Sequence, residues 1–551
     1  MMHRSLKKIS VWMSSPSKTV GGAALLIAFA GLASRLLGFF RDRILASEFG
    51  AGDILDSYYA AFRVPDLLYS LIVLGALSAA FIPVFTTFLV EEKKEDAFKL
   101  TSHILYLLLV FLGGLSLLGI MFAGTITHLL VPGFSPEKIT LTTSLTRVML
   151  LSPLFLSVSA IFGGVLVSFK QFVAYSLAPI VYNIGIICGA LFLAPWIGPL
   201  GLAWGVVVGS FFHMLIQYPS LRKTGFHFSA DIKHVLADAS VRQVIRLMIP
   251  RTLGLAVSQV SLFAVAFFAS LLSAGSLAVF TLANNIQSVP LGLFGIAFSV
   301  AIFPAISSLA AKKKDNDFFE ILAETSRRIL FFVLPLSLFM IIFRAQLVRV
   351  ILGAGSFDWE DTILTFEVLK FLSISLFAQS LIPLFARAFF ALQDTKSPFY
   401  IALFSTALQI ALIPLLLPIY GVQGLAIAFS ASSICNLLLL YWLLRKRVSS
   451  WNDHIFFFPL MKIFFAAFGA SMIAQVSKYV FALTISELDT FWKVLFQLST
   501  GFLIGGVAFL VICHYFDVDE LKMVKRFILC KILRRPETAT LAEDHPERGD
   551  W

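Results

Sequence analysis

Three arginines and a few carboxylates sit inside stretches that otherwise read as oil. The run Ser34-Arg35-Leu36-Leu37-Gly38-Phe39-Phe40-Arg41-Asp42-Arg43 closes an apolar stretch at 21–44. The run Asp56-Ser57-Tyr58-Tyr59-Ala60-Ala61-Phe62-Arg63-Val64-Pro65-Asp66 opens the next, at 57–89. A charge at the centre of a bilayer costs about 2.5–3.5 kcal/mol on insertion scales, so such residues persist only where they face water or a partner. A guanidinium offers a planar fork that can give a phosphate two hydrogen bonds at once. Arg35, Arg41 and Arg63 therefore read as a cationic cavity for an anionic headgroup, with Asp42 or Asp56 as a partner for one of them. Arg35 and Arg41 are six residues apart, or about 240° around a helix of 3.6 residues per turn. They share a face only if the helix bends, and Gly38 is the candidate bend point. The competing reading is salt bridges between helices and snorkelling at their ends. For Arg43 and Asp66 that reading is preferred.

Polar residues are sparser further on. In Met248-Ile249-Pro250-Arg251 the arginine has two readings, snorkelling or facing a cavity. Asn284, Asn285, Gln287 and Ser288 precede Pro290 and are expected to face inward, because polar groups in lipid seek partners between helices. Arg387 reads as a snorkelling residue near a helix end. The nine His are scattered, and Cys188, Cys435, Cys513 and Cys530 lack metal-ligand spacing. There is no Walker lysine loop. The expectation is a protein that is not an enzyme, with no metal and no cofactor, driven by membrane potential or by a gradient of an unspecified ion.

The elements that must position these residues follow from composition. Of 551 residues, 58% are hydrophobic and 14% charged, against about 25% charged in soluble domains. A water-soluble protein, a disordered chain and a disulfide scaffold are excluded. The net charge of +11 suggests basic cytoplasmic loops before it suggests nucleic acid. Residues 171–221, 252–311 and 397–444 hold no Asp, Glu, Lys or Arg. A spanning helix needs about 20 apolar residues, so each run holds two. Each breaks near its middle, at Pro195-Trp196-Ile197-Gly198-Pro199, Ser273-Ala274-Gly275 and Pro418-Ile419-Tyr420-Gly421. The fold class is an all-α integral membrane protein with about fourteen helices: 21–44, 57–89, 100–124, 147–169, 174–195, 199–221, 247–272, 277–304, 327–352, 364–390, 398–418, 422–444, 456–477 and 494–515. The termini and alternate loops carry 29 of the 43 Lys and Arg, and the opposite loops carry 6. The positive-inside rule then predicts both termini in the cytoplasm. Residues 1–33 superficially resemble a signal peptide, but the run continues through Arg35 and a retained first helix is expected.

Residues 134–223 align with 357–446 at a constant offset, pairing Phe134 with Phe357, Pro195 with Pro418, Gly198 with Gly421 and Lys223 with Lys446. Val64-Pro65 resembles Val289-Pro290 more loosely. The organisation expected is a cytoplasmic segment 1–20, a first six-helix lobe 21–223, a linker 224–246, a second lobe 247–446, two further helices in 447–515 and a basic cytoplasmic tail 516–551. Transporters built from such repeats bind cargo between lobes and rock to alternate access.

The motif Ser34 to Asp42, then Phe49-Gly50-Ala51-Gly52, Asp56, Ala61-Phe62-Arg63-Val64-Pro65 and Gly75-Ala76-Leu77-Ser78-Ala79-Ala80-Phe81-Ile82-Pro83-Val84-Phe85, closely resembles the MurJ (MviN) family. These are the lipid II flippases of bacterial peptidoglycan synthesis. Pro132-Gly133-Phe134 and Gly353-Ala354-Gly355-Ser356-Phe357 with Asp361-Thr362 look similar as well. The resemblance implies the fold of multidrug and lipid-linked oligosaccharide exporters. It implies transfer of undecaprenyl-pyrophosphate-linked disaccharide-pentapeptide from the inner to the outer leaflet of the bacterial cytoplasmic membrane. Arg35, Arg41 and Arg63 fall on the family's cavity cations and Asp56 on its acidic residue in helix 2. The last two helices would line a groove for the lipid tail. The implied partners are lipid II, the membrane, and proteins of cell-wall synthesis or division; nucleic acid is not among them. The usual Arg and Glu of helix 8 are here Asn285 and Ser288, and the helix 7 Asp is Val265. The second lobe thus lacks its usual charges, and Arg251 is the residue expected to substitute in part. The expected binding set is Arg35, Arg41, Arg63 and Asp56 with Arg251, Asn285 and Ser288. The rival readings are export of another polyprenyl-linked oligosaccharide or a cationic drug, and a non-transporting membrane scaffold. Intact arginines argue against the last two.

Overall fold

The computed structural model describes residues 20–74, 80–229, 231, 235, 237–448, 451–484 and 490–527. The N-terminal segment, the motif residues 75–79, Cys530 and the end of the basic tail lie outside them. The described chain is helical. Its elements are α1 (Val20–Phe49), α2 (Asp53–Leu68), a π-helical turn (Tyr69–Leu74), α3 (Ile82–Val90), α4 (Lys94–Met121), α5 (Ala123–Leu130), α6 (Pro136–Met149), α7 (Ser152–Ser168), α8 (Phe172–Cys188), α9 (Ala194–Ile197), α10 (Leu200–Leu215), α11 (Tyr218–Lys223) and α12 (Ala239–Ser270). Then come α13 (Ser276–Pro290), a further π-helical turn (Leu291–Ile296), α14 (Ala297–Ala311), α15 (Asp315–Ile342), α16 (Arg344–Ile351), α17 (Trp359–Ile374), α18 (Leu376–Ala391), α19 (Lys396–Tyr420), α20 (Val422–Arg447), α21 (Asp453–Thr484), α22 (Phe491–Tyr515) and α23 (Asp519–Phe527).

The internal repeat is written in these elements. α4 and α15 both have 28 residues, and each is followed by a helix of eight. The π-helical turns Tyr69–Leu74 and Leu291–Ile296 each follow a Val-Pro pair, Val64-Pro65 and Val289-Pro290, while another, Gly189–Leu193, follows α8. Helix ends repeat too. Glu92 and Lys313 are left-handed at φ 60° and 54°, as are Lys170 and Gln393 at 59° each. After each of these, the next N–H reaches back five residues, as in Lys93 to Phe88 O and Lys314 to Leu309 O, or Gln171 to Leu166 O and Asp394 to Phe389 O. This is the Schellman closure of a helix, which satisfies its last carbonyls.

Packing divides the chain into two compact units. The first takes the residues up to Leu282 with Ile351–Thr365 and Thr406–Ala428; the second takes Ala283–Val350, Phe366–Ser405 and the chain from Phe429. In the first unit, α8 and α10 cross backbone to backbone. A Cβ at Gly185 would lie 2.3 Å from the Gly209 Cα, and one at Gly205 would lie 2.6 Å from the Gly189 Cα. Glycines at four-residue spacing allow this approach, which replaces the hydrophobic effect that lipid-immersed helices lack. Phe81, Phe85, Phe98 and Phe162 fill the core beside them, with Val241 and Val244 of α12. In the second unit α15 packs on α21 and α22. Phe339 and Phe343 project over Gly505 and Gly501, and Ala466, Ala470 and Ala474 complete the contact. The outer side of α21 shows Phe457, Phe458, Met461, Phe464, Phe465 and Phe468, a lipid-facing surface.

Among the described residues ten helices are long and apolar enough to cross a membrane, or eleven if the bent α17–α18 pair is one span. Fourteen were expected. The other three stretches fall on α1, on α2 with its π-helical continuation, and on α12. α2 has 16 residues, and α12 is apolar only over Ala256–Ser270. Boundaries also differ. α4 and α15 begin at Lys94 and Asp315, well before the predicted 100 and 327. Charges do not end a helix that is leaving the bilayer, and the Glu324–Arg328 pair one turn apart supports the extension. The predicted span 327–352 is split at Phe343, and 364–390 bends by 44° between α17 and α18.

Candidate functional site

The site begins on α1. Its Phe29, Leu32, Leu36 and Phe40 are exposed at helical spacing, which turns Arg41 and Asp42 to the protein side. Asp42 is buried, and its Oδ1 accepts from Arg41 Nε at 3.0 Å and Nη2 at 2.8 Å. Arg41 Nη1 donates to Asn183 Oδ1 of α8 at 3.1 Å. Asn183 is itself fixed, its Nδ2 donating to Pro179 O at 3.0 Å and Ser34 Oγ at 3.4 Å. Three of the five guanidinium N–H groups are thus used. The Arg41 side chain keeps 24% of its surface accessible. It is a cation fixed in place with donors to spare. Arg35, earlier on α1, is half-buried.

Arg63 lies on α2 and is 9% exposed. Its Nη2 makes one long hydrogen bond, 3.4 Å to Thr281 Oγ1 of α13, and its Nε has no partner. Asp66, three residues on, is exposed. A carboxylate exposed this far along a membrane helix faces water rather than lipid.

Asp56 behaves differently. It is 1% exposed, and its Oδ1 accepts from Ala278 N at 2.8 Å. Its Oδ2 accepts from Gly275 N at 2.8 Å and Lys138 Nζ at 2.7 Å. A carboxylate over the first turn of α13 satisfies N–H groups that no helix can satisfy for itself. Lys138 of α6 also pairs with Asp53 at 2.8 Å. Of the two carboxylates expected to pair with an arginine, Asp42 does so and Asp56 takes Lys138 instead. The reason is local: the first turn of α2 sits at the N-termini of α6 and α13, away from Arg41.

The same end of this unit is knitted by backbone. Gly275 is left-handed at φ +86°, and a Cβ there would lie 1.7 Å from Ala51 O, so only glycine fits. Ser356 N donates to Ser47 O at 2.7 Å, and Ala51 N donates to Asp361 Oδ2 at 2.9 Å. Lys138 and Asp361 are repeat-equivalent positions, and both hold the α1–α2 connection.

Asn285 and Ser288 lie on the part of α13 assigned to the second unit. The inward-facing polar cluster expected there is unevenly buried: Ser288 is exposed, Asn284 and Asn285 are half-buried, and Gln287 is fully buried with neither amide atom partnered. The four positions fall within about 160° of the helix circumference, so they share one broad side of α13 while differing in burial along it. Arg251 falls in α12, and its side chain lies outside the described residues. Sequence reasoning missed Lys138, Asn183 and Thr281. An Asn inside the uncharged run 171–221 was a readable signal; Lys138 looked like an ordinary loop lysine.

Long apolar helices in two repeats, with Arg41 held inside one unit, are the frame of a membrane transporter. A solved multidrug resistance MATE transporter of the MOP superfamily, in an inward-facing conformation, shares the fold at TM-score 0.62 over 76% of this chain and 95% of its own, with 16% identity. The family model described as lipid II flippase MurJ matches residues 45–503, and the chain belongs to that family. A solved lipid II flippase MurJ in an inward closed conformation covers 90% of this chain and 99% of its own, with TM-score 0.74 and 26% identity. Among sequence relatives, "Probable lipid II flippase MurJ" of Buchnera aphidicola subsp. Schizaphis graminum is 28% identical over 88% of this chain and 95% of its own length. "Lipid II flippase MurJ" of Burkholderia cenocepacia is 28% identical over 77% and 84%.

Proposed function

We propose that this chain is a lipid II flippase of the bacterial inner membrane, working by alternating access. The observation that carries the site is Arg41, held by Asp42 and Asn183 with N–H donors left open. Arg63 stands ten residues into α2, about 15 Å along the helix, near the middle of a hydrocarbon core about 30 Å thick. Its unpartnered Nε and the exposed Asp66 support a wet chamber at that depth. Arg35, Arg41 and Arg63 attract the pyrophosphate. The headgroup crosses in water while the prenyl tail stays in lipid against α21 and α22, which avoids stranding polar groups in hydrocarbon. The lobes 21–223 and 247–446 rock about the cargo, both termini lie in the cytoplasm, and membrane potential or an ion gradient supplies the energy. Asp56 is assigned to holding the closed end rather than to the cargo, and Asn285 and Ser288 to the second lobe's cavity wall. Arg251 is the second lobe's candidate cation.

Rescue of a bacterium depleted of its own flippase tests this reading. The wild-type chain should restore growth and shape, and Arg41→Ala and Arg63→Ala should fail at equal expression. Full rescue by both variants would refute the arginine site. Arg251→Ala in the same assay decides its part, since unchanged rescue removes it.

A further inference from the structure

Tyr59 lies one turn before Arg63 on α2, so the two share a helix face. It is 7% exposed, and its ring packs edge-on against Tyr58 at 5.4 Å. Its hydroxyl has no hydrogen-bond partner, and neither has Arg63 Nε. A buried donor without an acceptor is rare because it costs stability. Two of them on one face, one turn apart and one of them cationic, call for a ligand rich in acceptor oxygens. Phenylalanine would fill the same space without the penalty, so packing gives no reason for the hydroxyl.

We propose that Tyr59 is a substrate-contacting residue: its hydroxyl donates to a phosphate oxygen of the lipid pyrophosphate beside Arg63 Nε. This deepens the arginine-site reading and rests on it. Arg41 and Arg63 supply the charge, and Tyr59 supplies a neutral donor that needs no counter-ion. It would favour a phosphorylated polyprenyl lipid over the bare alcohol.

The test compares purified wild type, Tyr59→Phe, Arg41→Ala and Arg63→Ala. Thermal unfolding is measured without ligand, and binding is measured to lipid II and to undecaprenol. Tyr59→Phe should melt at the same temperature or higher, since it deletes an unpaired hydroxyl. Its affinity for lipid II should fall about tenfold, the effect of one hydrogen bond to a charged group, with undecaprenol binding unchanged. A lower melting temperature would mean the hydroxyl serves the fold, and the proposal would fall. Full lipid II affinity in Tyr59→Phe, with loss in the arginine variants, would overturn the Tyr59 contact and leave the arginine site standing. Full affinity in all three would overturn both.

Discussion

Asn183 shows how a neutral residue shapes a charged site. Arg41 reaches its carboxylate through a sequence neighbour, but a carboxylate alone leaves the guanidinium free to swing about that contact. The amide of Asn183, anchored by Pro179 O, takes Nη1 and fixes the plane of the fork. Asn183→Ala removes an acceptor from a buried donor, a loss of about 1–3 kcal/mol. The expected outcome is a lower unfolding temperature together with weaker lipid II binding. Asn183→Asp keeps an acceptor for Arg41 but loses the donor to Pro179 O, so it should not restore full stability. Equal stability in wild type and Asn183→Ala would show that the amide holds nothing. Asp56 is the opposite case, a charge consumed by structure. Its three hydrogen bonds and the Lys138 ion pair are all internal. Removing one partner of a buried pair typically costs about 3–5 kcal/mol. Asp56→Asn should therefore loosen that end of the unit. A cysteine placed at Ala51, buried here, should become reactive to a water-soluble maleimide in the Asp56→Asn background. Unchanged labelling would show that the clasp is not needed for closure.

At the scale of elements, the glycine crossing of α8 and α10 brings two helix backbones into direct contact. It also positions Asn183, which lies two residues before Gly185 on α8. Gly205→Val would drive a branched side chain into the Gly189 backbone, where a Cβ alone already comes within 2.6 Å. The helices must separate, so the expected result is poor yield of folded protein and a displaced Arg41. Gly198→Ala serves as the control, because no atom lies within 4 Å of its added Cβ, although its φ of +67° carries some strain. Comparable yields of Gly205→Val and wild type in detergent would contradict the crossing. The equivalent positions on the second repeat are Ala428 and Ser432 where the first has Gly205 and Gly209. The two repeats share turns and helix lengths without sharing this contact.

For the whole molecule, the repeat does more than duplicate a fold. Lys138 and Asp361 occupy equivalent positions and carry opposite charges, and each binds the α1–α2 connection, one through carboxylates and the other through a backbone N–H. These contacts are short and polar, unlike the apolar helix packing elsewhere.

Composition alone settled that the chain lives in a membrane, because 58% hydrophobic residues cannot be hidden inside one soluble core. Periodic breaks at Gly and Pro placed the hairpins, since those residues act locally: Gly198 and Gly421 are left-handed turns in the structure. The constant offset between 134–223 and 357–446 exposed the repeat, because matching Gly, Pro and charge survive where apolar residues interchange. The arginines were visible for a related reason: a charge amid oil stands out. What the sequence could not assign was partnership. Asp42 and Asp56 looked alike as candidate counter-ions, yet one serves Arg41 and the other holds Lys138 and the α13 N-terminus. That choice depends on which helix ends meet across 82 to 222 residues of chain. Only the tertiary structure brings those ends together. The polar cluster at 284–288 likewise shares one side of α13, but only the packing decided that Gln287 is buried and Ser288 exposed.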